Sequence, residues 1–183
     1  MEVFMLIQYK NLTLRNATIQ DAELLSSWWN DGAVMAHAGF PNGTGQTSSE
    51  IAERIKKDTD ENRRIIIELS HKPIGEMNYI TYSNQGNDKT AEIGIKICVS
   101  SEQEKGYGKI VLSMLISFLF YDLRYQKIIL DTNLNNKRAQ HVYEKLGFRK
   151  LRVNVNSWQN QLGEPQSSVD YELIPEDFVN FAK

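Results

Sequence analysis

The chain has 183 residues, and 41% of them are hydrophobic, a proportion that can fill the core of one compact domain. Its 21 basic and 23 acidic side chains leave a formal net charge of -2 at pH 7. No overall field therefore attracts nucleic acid or an anionic membrane surface, and neither kind of partner is expected.

Features of the whole sequence indicate one cytoplasmic domain over residues 1–183. The single cysteine, Cys98, cannot form a disulfide within the chain, which fits a reducing compartment. The apolar run at residues 3–7 is too short for a membrane span and lacks the flanks of a signal peptide. No repeat, low-complexity tract or linker marks a domain boundary.

Periodicity and turn residues predict a mixed α/β order of elements. The elements are a strand at 12–15, a helix from Asp21 to residue 27 or 29, a glycine-rich loop at 32–45, a helix at 49–57 capped by Thr47 or Ser48, strands at 64–69, 73–82 and 90–99, a helix at 107–123, a strand at 127–132, a helix at 136–146 ended by Gly147, and strands at 148–157 and 167–174. Short connectors at 70–72 and 84–88 indicate that the three middle strands form an antiparallel meander.

The turn at residues 103–109 lies between a strand and the long apolar helix, a position suited to binding phosphate. Successive backbone N–H groups and the positive end of the helix dipole can bind a diphosphate there, and Gly106 and Gly108 permit close approach. By itself the pattern also fits two glycines that only relieve crowding. A dinucleotide-binding motif is disfavoured, because the three-glycine fingerprint is incomplete.

Two blocks of sequence resemble the GNAT family of N-acetyltransferases. The turn is similar to the family's Q/R-x-x-G-x-G/A signature, and residues 136–148 contain its Asn, Ala, Tyr and Gly-Phe pattern. The resemblance implies a GNAT fold, α/β (α+β), with a mixed and mostly antiparallel sheet of about six to seven strands flanked by about four helices. Residues 91–95 and 171–173 are most similar to the branch of ribosomal-protein N-terminal and small-amine acetyltransferases. The resemblance to the GNAT family also implies acetyl-CoA as the cofactor. Related enzymes are often dimers.

The resemblance also implies which residues hold the cofactor. A bulge is expected to separate the strand at 90–99 from its neighbour and to admit the pantetheine arm; without one, Ile93, Ile95, Ile97 and Val99 share one face of that strand. Glu104 departs from the family pattern and adds negative charge beside the diphosphate, harmlessly if its side chain points to solvent. The full cofactor set is Ile97, Cys98, Val99, Gln103, Glu104, Lys105, Gly106, Tyr107, Gly108, Lys109, Asn136, Ala139 and Tyr143.

Catalysis needs a proton for the departing thiolate and a route for the proton of the amine. Tyr143 matches the family's general acid, although a tyrosine here can also simply pack between helix and sheet. Glu92, and after it Glu76, are candidate bases, although either can be a solvent-facing carboxylate. Asn136 matches the residue that binds pantetheine and can also cap its helix.

Other reactive side chains receive no catalytic role from the sequence. Cys98 has no histidine near it in sequence, and the resemblance implies direct transfer. His37, His71 and His141 lack the spacing of metal ligands, so no metal is expected.

The acceptor site is expected in the first two helices and the loop between them. Aromatic and acidic residues there can bind a cationic amine, or they can belong to the core and to a helix end. An aminoglycoside, a polyamine and a peptide N-terminus fit equally well. The candidate residues are Trp28, Trp29, Asp31, Met35 and Phe40.

Three hypotheses follow from these observations. The first is an N-acetyltransferase that moves an acetyl group from acetyl-CoA directly to a primary amine of a small molecule or peptide N-terminus. The alternative is a catalytically silent acyl-CoA-binding or regulatory domain of the same fold. A nucleotide-binding or purely structural α/β module is disfavoured by the second sequence block.

Overall fold

Residues 5–83 and 88–183 are described by a computed structural model, in which one eight-stranded sheet carries helices on both faces. The strands are β1 Leu6–Tyr9, β2 Leu12–Asn16, β3 Asn62–Leu69, β4 Lys72–Ser83, β5 Lys89–Ile97, β6 Lys127–Asn133, β7 Arg149–Gln159 and β8 Pro165–Leu173. The helices are α1 Ala22–Trp29, α2 Gly32–Met35, α3 Ser48–Ile55, α4 Tyr107–Ser117 and α5 Lys137–Lys145.

The sheet is mixed and mostly antiparallel, as predicted. Its strand order is β1-β2-β3-β4-β5-β6-β8-β7, and β5 pairs with β6 in parallel while every other neighbouring pair is antiparallel. The predicted meander of β3, β4 and β5 is confirmed. Residues 84–87 of its second connector lie outside the described residues, as do residues 3 and 4 of the apolar run at 3–7.

Two elements of the described part of the chain were absent from the prediction, which gave about seven strands and four helices. β1 is a four-residue strand at the edge of the sheet, where alternate residues remain exposed. α2 is a single turn inside the glycine-rich loop, and Asp31 caps it by accepting a hydrogen bond from the Ala33 amide at 2.8 Å. Both are short, so their patterns carry little periodic signal.

Each face of the sheet has its own hydrophobic core. The larger cluster lies under α4 and α5, and the smaller one lies under α1 and α3. Successive side chains of β3 point to opposite cores, since Ile65 and Ile67 belong to the larger cluster and Ile66 to the smaller. A central strand covered on both faces reads as a continuous apolar run, which explains the Ile-Ile-Ile sequence.

The sheet opens between β5 and β6. Their pairing covers three residue pairs, from Thr90 with Lys127 to Glu92 with Ile129. Beyond that point β5 continues along β4 as far as Ile97, and β6 continues along β8 as far as Asn133. Because each strand keeps its partner on the outer side, the two halves of the sheet separate without losing their own ladders.

The predicted bulge in β5 lies at the end of the strand. The register between β4 and β5 is continuous from Ser83 with Lys89 to Gly75 with Ile97. The next two amides, those of Cys98 and Val99, both donate to the Ile74 carbonyl, at 2.8 and 3.1 Å. Cys98 and Val99 therefore oppose the single residue Ile74, as in a β-bulge. This bulge lies beyond the point at which β5 and β6 have already diverged.

Several predicted helix ends agree with the structure. Thr47 and Glu50 form a capping box at the start of α3, and the Asn136 side chain accepts from the Ala139 amide at the start of α5. Gly147 follows α5 with a φ of +97°, the left-handed conformation of a helix C-cap. α4 ends at Ser117, and the chain then forms a wider helical turn at Phe118–Asp122. The predicted helix at 107–123 is therefore regular only in its first part.

The tight contact of β4 with β5 gives a test of the pairing between these two strands. A Cβ atom at Gly75 would lie 2.2 Å from the Lys96 carbonyl oxygen, a backbone atom that cannot move without shifting β5. We expect Gly75→Ala to lower the free energy of unfolding by about 1–3 kcal/mol, measured by denaturant titration.

Gly108→Ala is the control for this substitution, because a Cβ there meets no atom within 4 Å. Its free energy of unfolding should equal that of wild type or exceed it by up to about 1 kcal/mol, because alanine favours a helix more than glycine does. Equal stability of the two variants would contradict the close strand contact.

Candidate active site

A cavity of about 1230 Å³ occupies the space where β5 and β6 separate. α4 and α5 border it on one face of the sheet, and α2 borders it on the other. Nine predicted cofactor residues line it, namely Ile97, Gln103, Glu104, Gly106, Gly108, Lys109, Asn136, Ala139 and Tyr143. Four others, Cys98, Val99, Lys105 and Tyr107, do not.

The turn before α4 presents free backbone amides to this cavity. The Gln103 side chain donates to the Ile97 carbonyl at 2.9 Å, which fixes the turn to the end of β5. Within the described residues, no protein acceptor faces the amides of Glu104, Lys105 and Gly106. The first amides of α4 likewise lack intrahelical partners, so the turn and the helix start together form an anion-binding concavity.

The two glycines of the turn leave room in front of these amides. Gly106 has a φ of +83°, and a Cβ at either Gly106 or Gly108 would meet no protein atom within 4 Å. The left-handed conformation explains the glycine at 106, and the open space beside both positions can accept a ligand.

The charged side chains of the turn each have a partner. Glu104, with a φ of +62°, has a side chain that is 77% exposed and accepts from Arg138 Nη1 at 3.0 Å. Lys105 pairs with Glu102 at 3.0 Å, and Lys109 Nζ lies 4.0 Å from the centre of the Phe181 ring. Because Glu104 is turned to solvent and neutralised by Arg138, it leaves the concavity open to a phosphate.

The free edge of β5 faces the opening. Alternation along an antiparallel strand directs the backbone groups of every second residue to the same neighbour. Cys98 bonds to β4 and the Ile97 carbonyl bonds to Gln103, so the backbones of Ile95 and Ile97 face the space left by β6. The side chains of Ile93, Ile95, Ile97 and Val99 all lie on the side of the larger core, as expected without a bulge inside the strand.

Tyr143 lies at the inner end of the cavity. Its ring packs edge to face against Phe148 and Tyr171, each with centres 5.8 Å apart, and its side chain is largely buried. Within the described residues its hydroxyl has no hydrogen-bond partner. Burial, and after it the negative charge of Asp131, raises the pKa of Tyr143 to about 12, so the phenol is neutral at pH 7.

Two predicted carboxylates already have partners. Glu76 is buried, and its Oε1 accepts from Trp29 Nε1 at 2.7 Å and from Lys96 Nζ at 3.0 Å. Glu92 accepts from the Tyr82 hydroxyl at 2.9 Å. Neither lines the cavity, so their roles as bases stay predictions.

A third carboxylate, Asp131 on β6, does line the cavity and was missed by sequence reasoning. Partial desolvation within the cavity is the main cause that raises the pKa of Asp131, and the negative charges of Glu92 and Asp170 raise it further. Nothing in the local sequence around Asp131 resembles a site. Its position becomes visible only when β6 is placed beside β5, with Asp131 two residues beyond the last pair, Glu92 with Ile129.

The predicted acceptor residues lie beside the cavity without lining it. Trp28 and Met35 are buried in the core, and Asp31 caps α2. Trp29 bonds to Glu76, and Phe40 is 40% exposed. Their contact with an acceptor stays a prediction.

Other residues form the wall on that face, namely Ala33, Val34, His37, Ala38, Lys96, Asn133 and Trp158. Trp158 comes from β7 and packs against Gly39, where a Cβ would lie 2.5 Å from its ring. The aromatic character of the wall was expected, but its source in β7 requires the tertiary structure.

Cys98 has surroundings that suit a structural role. The Cys98 thiol is buried in the smaller core, and burial, then the charge of Glu76, raises its pKa to about 12. A thiol of that pKa is a poor nucleophile at pH 7. Among residues 5–83 and 88–183, no group of three or more His, Cys, Asp or Glu side chains could hold a metal ion.

Comparison with known proteins identifies the family. The model of the acetyltransferase (GNAT) domain matches residues 11–149. The chain is 28% identical over 145 residues to spermidine N(1)-acetyltransferase of Vibrio cholerae, covering 75% of this chain and 78% of the relative. It is 26% identical over 145 residues to an SPbeta prophage-derived uncharacterized N-acetyltransferase, YokL, of Bacillus subtilis, covering 77% of each.

Solved structures share the fold. Spermidine N-acetyltransferase from Vibrio cholerae, in complex with CoA and spermine, superposes with a TM-score of 0.80 at 24% identity, covering 93% of this chain and 99% of that one. Ribosomal-protein-S5-alanine acetyltransferase from Vibrio fischeri superposes with a TM-score of 0.77 at 16% identity, covering 96% and 99%.

The chain therefore belongs to the GNAT acetyltransferase family, as its two sequence blocks predicted. It is an acetyl-CoA-dependent N-acetyltransferase. In the described part of the chain, none of the helices is long and apolar enough to span a membrane. The expectation of one domain over residues 1–183 stays a prediction.

The open space at the turn gives a test of cofactor binding. Gly106→Val would place a side chain where a diphosphate approaches the free amides, and we expect CoA to bind at least about tenfold more weakly by isothermal titration calorimetry. Unchanged affinity would show that the turn does not hold the diphosphate.

Gly163→Val is the matched control for backbone strain. Gly163 has a φ of +78° and equally open surroundings, but it does not line the cavity. Both variants therefore carry a similar conformational cost, and only the Gly106 variant should lose affinity for CoA.

Proposed function

We propose that this enzyme acetylates a primary amine of a small molecule or a peptide N-terminus by direct transfer, with Tyr143 as the general acid. The observation that carries the proposal is the Tyr143 hydroxyl, which lacks a protein partner among the described residues and lies in the same cavity as the free amides of the turn. A neutral phenol suits the thioester of an acyl-CoA, and an anion-binding turn in the same cleft suits its diphosphate.

The residues around the cleft fit this cofactor. Acetyl-CoA supplies an acetyl group activated as a thioester. The amides of residues 104–106 and the start of α4 would hold its diphosphate. The backbone of Ile95 and the Ile97 amide, which face the opening, would hold its pantetheine arm as an added strand. An N–H on that edge can also stabilise a developing oxyanion.

Tyr143 is suited to protonate a departing thiolate. Its pKa, raised to about 12, keeps the phenol protonated at neutral pH. The dry surroundings that raise this pKa also disfavour a bare thiolate, so they strengthen the demand for its proton. Phe148 and Tyr171 fix the ring direction, which limits the cost of orientation.

Asp131 is the carboxylate best placed to accept the proton of the amine, directly or through water. It lines the cavity near enough to Tyr143 for its charge to raise the pKa of that phenol. Glu76 would first have to give up its bonds with Trp29 and Lys96. Glu92 remains the alternative base, since it lies one strand away and influences the pKa of Asp131.

The acceptor enters from the face of α2 and β7. Asp131 can attract a cationic amine there, and Trp158 supplies an aromatic wall. The similarity to a spermidine acetyltransferase supports a polyamine as one candidate acceptor.

The proposal extends to the location of the protein and to its oligomeric state. A cytoplasmic location fits the single reduced cysteine, Cys98. A homodimer stays a prediction from the family resemblance.

Removal of the Tyr143 hydroxyl tests the general acid. Tyr143→Phe keeps the ring contacts, so affinity for CoA should stay within about twofold of wild type while kcat falls by about 10²–10³-fold. Thiol release from acetyl-CoA is measured against aminoglycosides, polyamines, amino acids and short peptides.

Tyr171→Phe is the control, because its hydroxyl bonds to Glu144 at 3.1 Å away from the cavity, and it should retain most activity. Undiminished kcat in the Tyr143 variant would remove its assigned role. Tight CoA binding by wild type without turnover of any acceptor would support the silent-domain alternative.

The pH dependence of kcat/KM tests the base. Asp131 must be deprotonated to accept a proton, so activity should fall as the pH drops through its pKa, which lies above the usual range of an aspartate. Asp131→Asn should remove this acidic limb and lower kcat/KM by about 10²-fold.

Glu92→Gln gives the contrasting result. It should keep the acidic limb but move it to lower pH, because a negative charge that raises the pKa of Asp131 is lost. Loss of the limb in the Glu92 variant, with the limb intact in the Asp131 variant, would assign the base to Glu92.

A further inference from the structure

One helix face beside the cavity carries three basic side chains that the proposed chemistry does not use. Arg138, His141 and Lys145 of α5 all line the cavity. Their spacing of three and then four residues places them on one face of the helix. We call this set the basic stripe.

The basic stripe begins opposite the turn that precedes α4. Arg138 Nη1 lies 3.0 Å from Glu104 Oε1, so an ion pair joins α5 to the turn across the mouth of the cavity. Both side chains are more than half exposed, and an exposed ion pair exchanges partners readily. Glu104 therefore holds Arg138 at the cavity without binding it tightly.

The other basic side chains of the turn have contacts of their own. Lys105 pairs with Glu102 and does not line the cavity. Lys109 lies over the ring of Phe181. Apart from Lys109, which lines the cavity over that ring, the cationic side chains beside the turn come from α5.

We propose that the basic stripe binds the 3′-phosphate of CoA, with Arg138 moving from Glu104 to that phosphate. The inference rests on the proposed cofactor site at the turn. Backbone amides can satisfy the diphosphate, but a phosphate monoester carries a charge of about -1.5 to -2 at pH 7 and gains most from cationic donors. The arginine fork matches phosphate oxygens, and Lys145 adds charge without fixed geometry.

This arrangement also gives a role to Glu104, which departs from the family pattern. Its carboxylate keeps Arg138 beside the turn before the cofactor arrives and competes for it afterwards. Glu104 should therefore weaken CoA binding slightly, and it should reduce the preference for a cofactor that carries the 3′-phosphate.

The test compares CoA with dephospho-CoA, which lacks only the 3′-phosphate, by isothermal titration calorimetry at low salt. We expect wild type to bind CoA about tenfold more tightly. Glu104→Gln should increase this preference, because Arg138 loses its competitor. In the Glu104→Gln background, Arg138→Ala should reduce the preference to about twofold or less and leave the affinity for dephospho-CoA unchanged.

Lys137→Ala is the matched control. Lys137 is the adjacent basic residue of α5, exposed to solvent and absent from the cavity wall, so the preference should survive its loss. Lys145→Ala should give a partial reduction.

Equal wild-type affinity for the two ligands would overturn the inference and leave the proposed function intact. A preference for CoA over dephospho-CoA that persists without Arg138 and without Lys145 would likewise overturn the inference and leave the proposed function intact. Failure of wild type to bind either ligand would overturn the proposed cofactor site and the inference with it.

Discussion

The separation of β5 from β6 is the feature on which the whole site depends. Two parallel neighbours pair over only three residue pairs and then diverge, yet each keeps a continuous antiparallel partner on its outer side. The sheet can therefore open without unfolding either half. Opening leaves the backbone edge of Ile95 and Ile97 without a strand beside it, and an exposed sheet edge favours pairing with an extended ligand. The same opening brings the turn of α4 and the ring of Tyr143 into one cavity.

Charge pairs hold the acceptor face of the opening in place. Glu76 accepts from both Trp29 and Lys96, and it thereby ties α1 to β4 and β5. A buried carboxylate that lost both donors would be costly, so this network favours a positioning role for Glu76. Asp131 lies on the other side of the opening, where desolvation, and after it the neighbouring carboxylates, raises its pKa. The two carboxylates thus have different surroundings, and those surroundings suit them to different roles.

Local patterns were enough to predict most strands and helices, the meander and the turn at residues 103–109. Gly106 and Tyr143 could be found because each lies in a short block whose spacing is fixed by one turn or one helix. Asp131 and Trp158 could not, because their places depend on how distant strands are aligned. Nor could the sequence reveal that Trp29 and Asp31 bond within the fold instead of lining the cavity. β1 and α2 were missed because elements of four residues show too little periodicity.

Part of the proposed acceptor wall comes from α2 and the loop after it, which the sheet itself does not position. Gln161, beyond the end of β7, donates from its backbone to the Gly39 carbonyl at 2.8 Å and from its side chain to the Gly43 carbonyl at 3.0 Å. These bonds fasten the hairpin of β7 and β8 to the loop after α2, and Trp158 packs onto Gly39 beside them. The cofactor side, in contrast, consists largely of backbone groups fixed by strand and helix geometry. Substitutions in the loop or the hairpin can therefore change the acceptor while the cofactor site stays intact, which is how one fold can serve different amines.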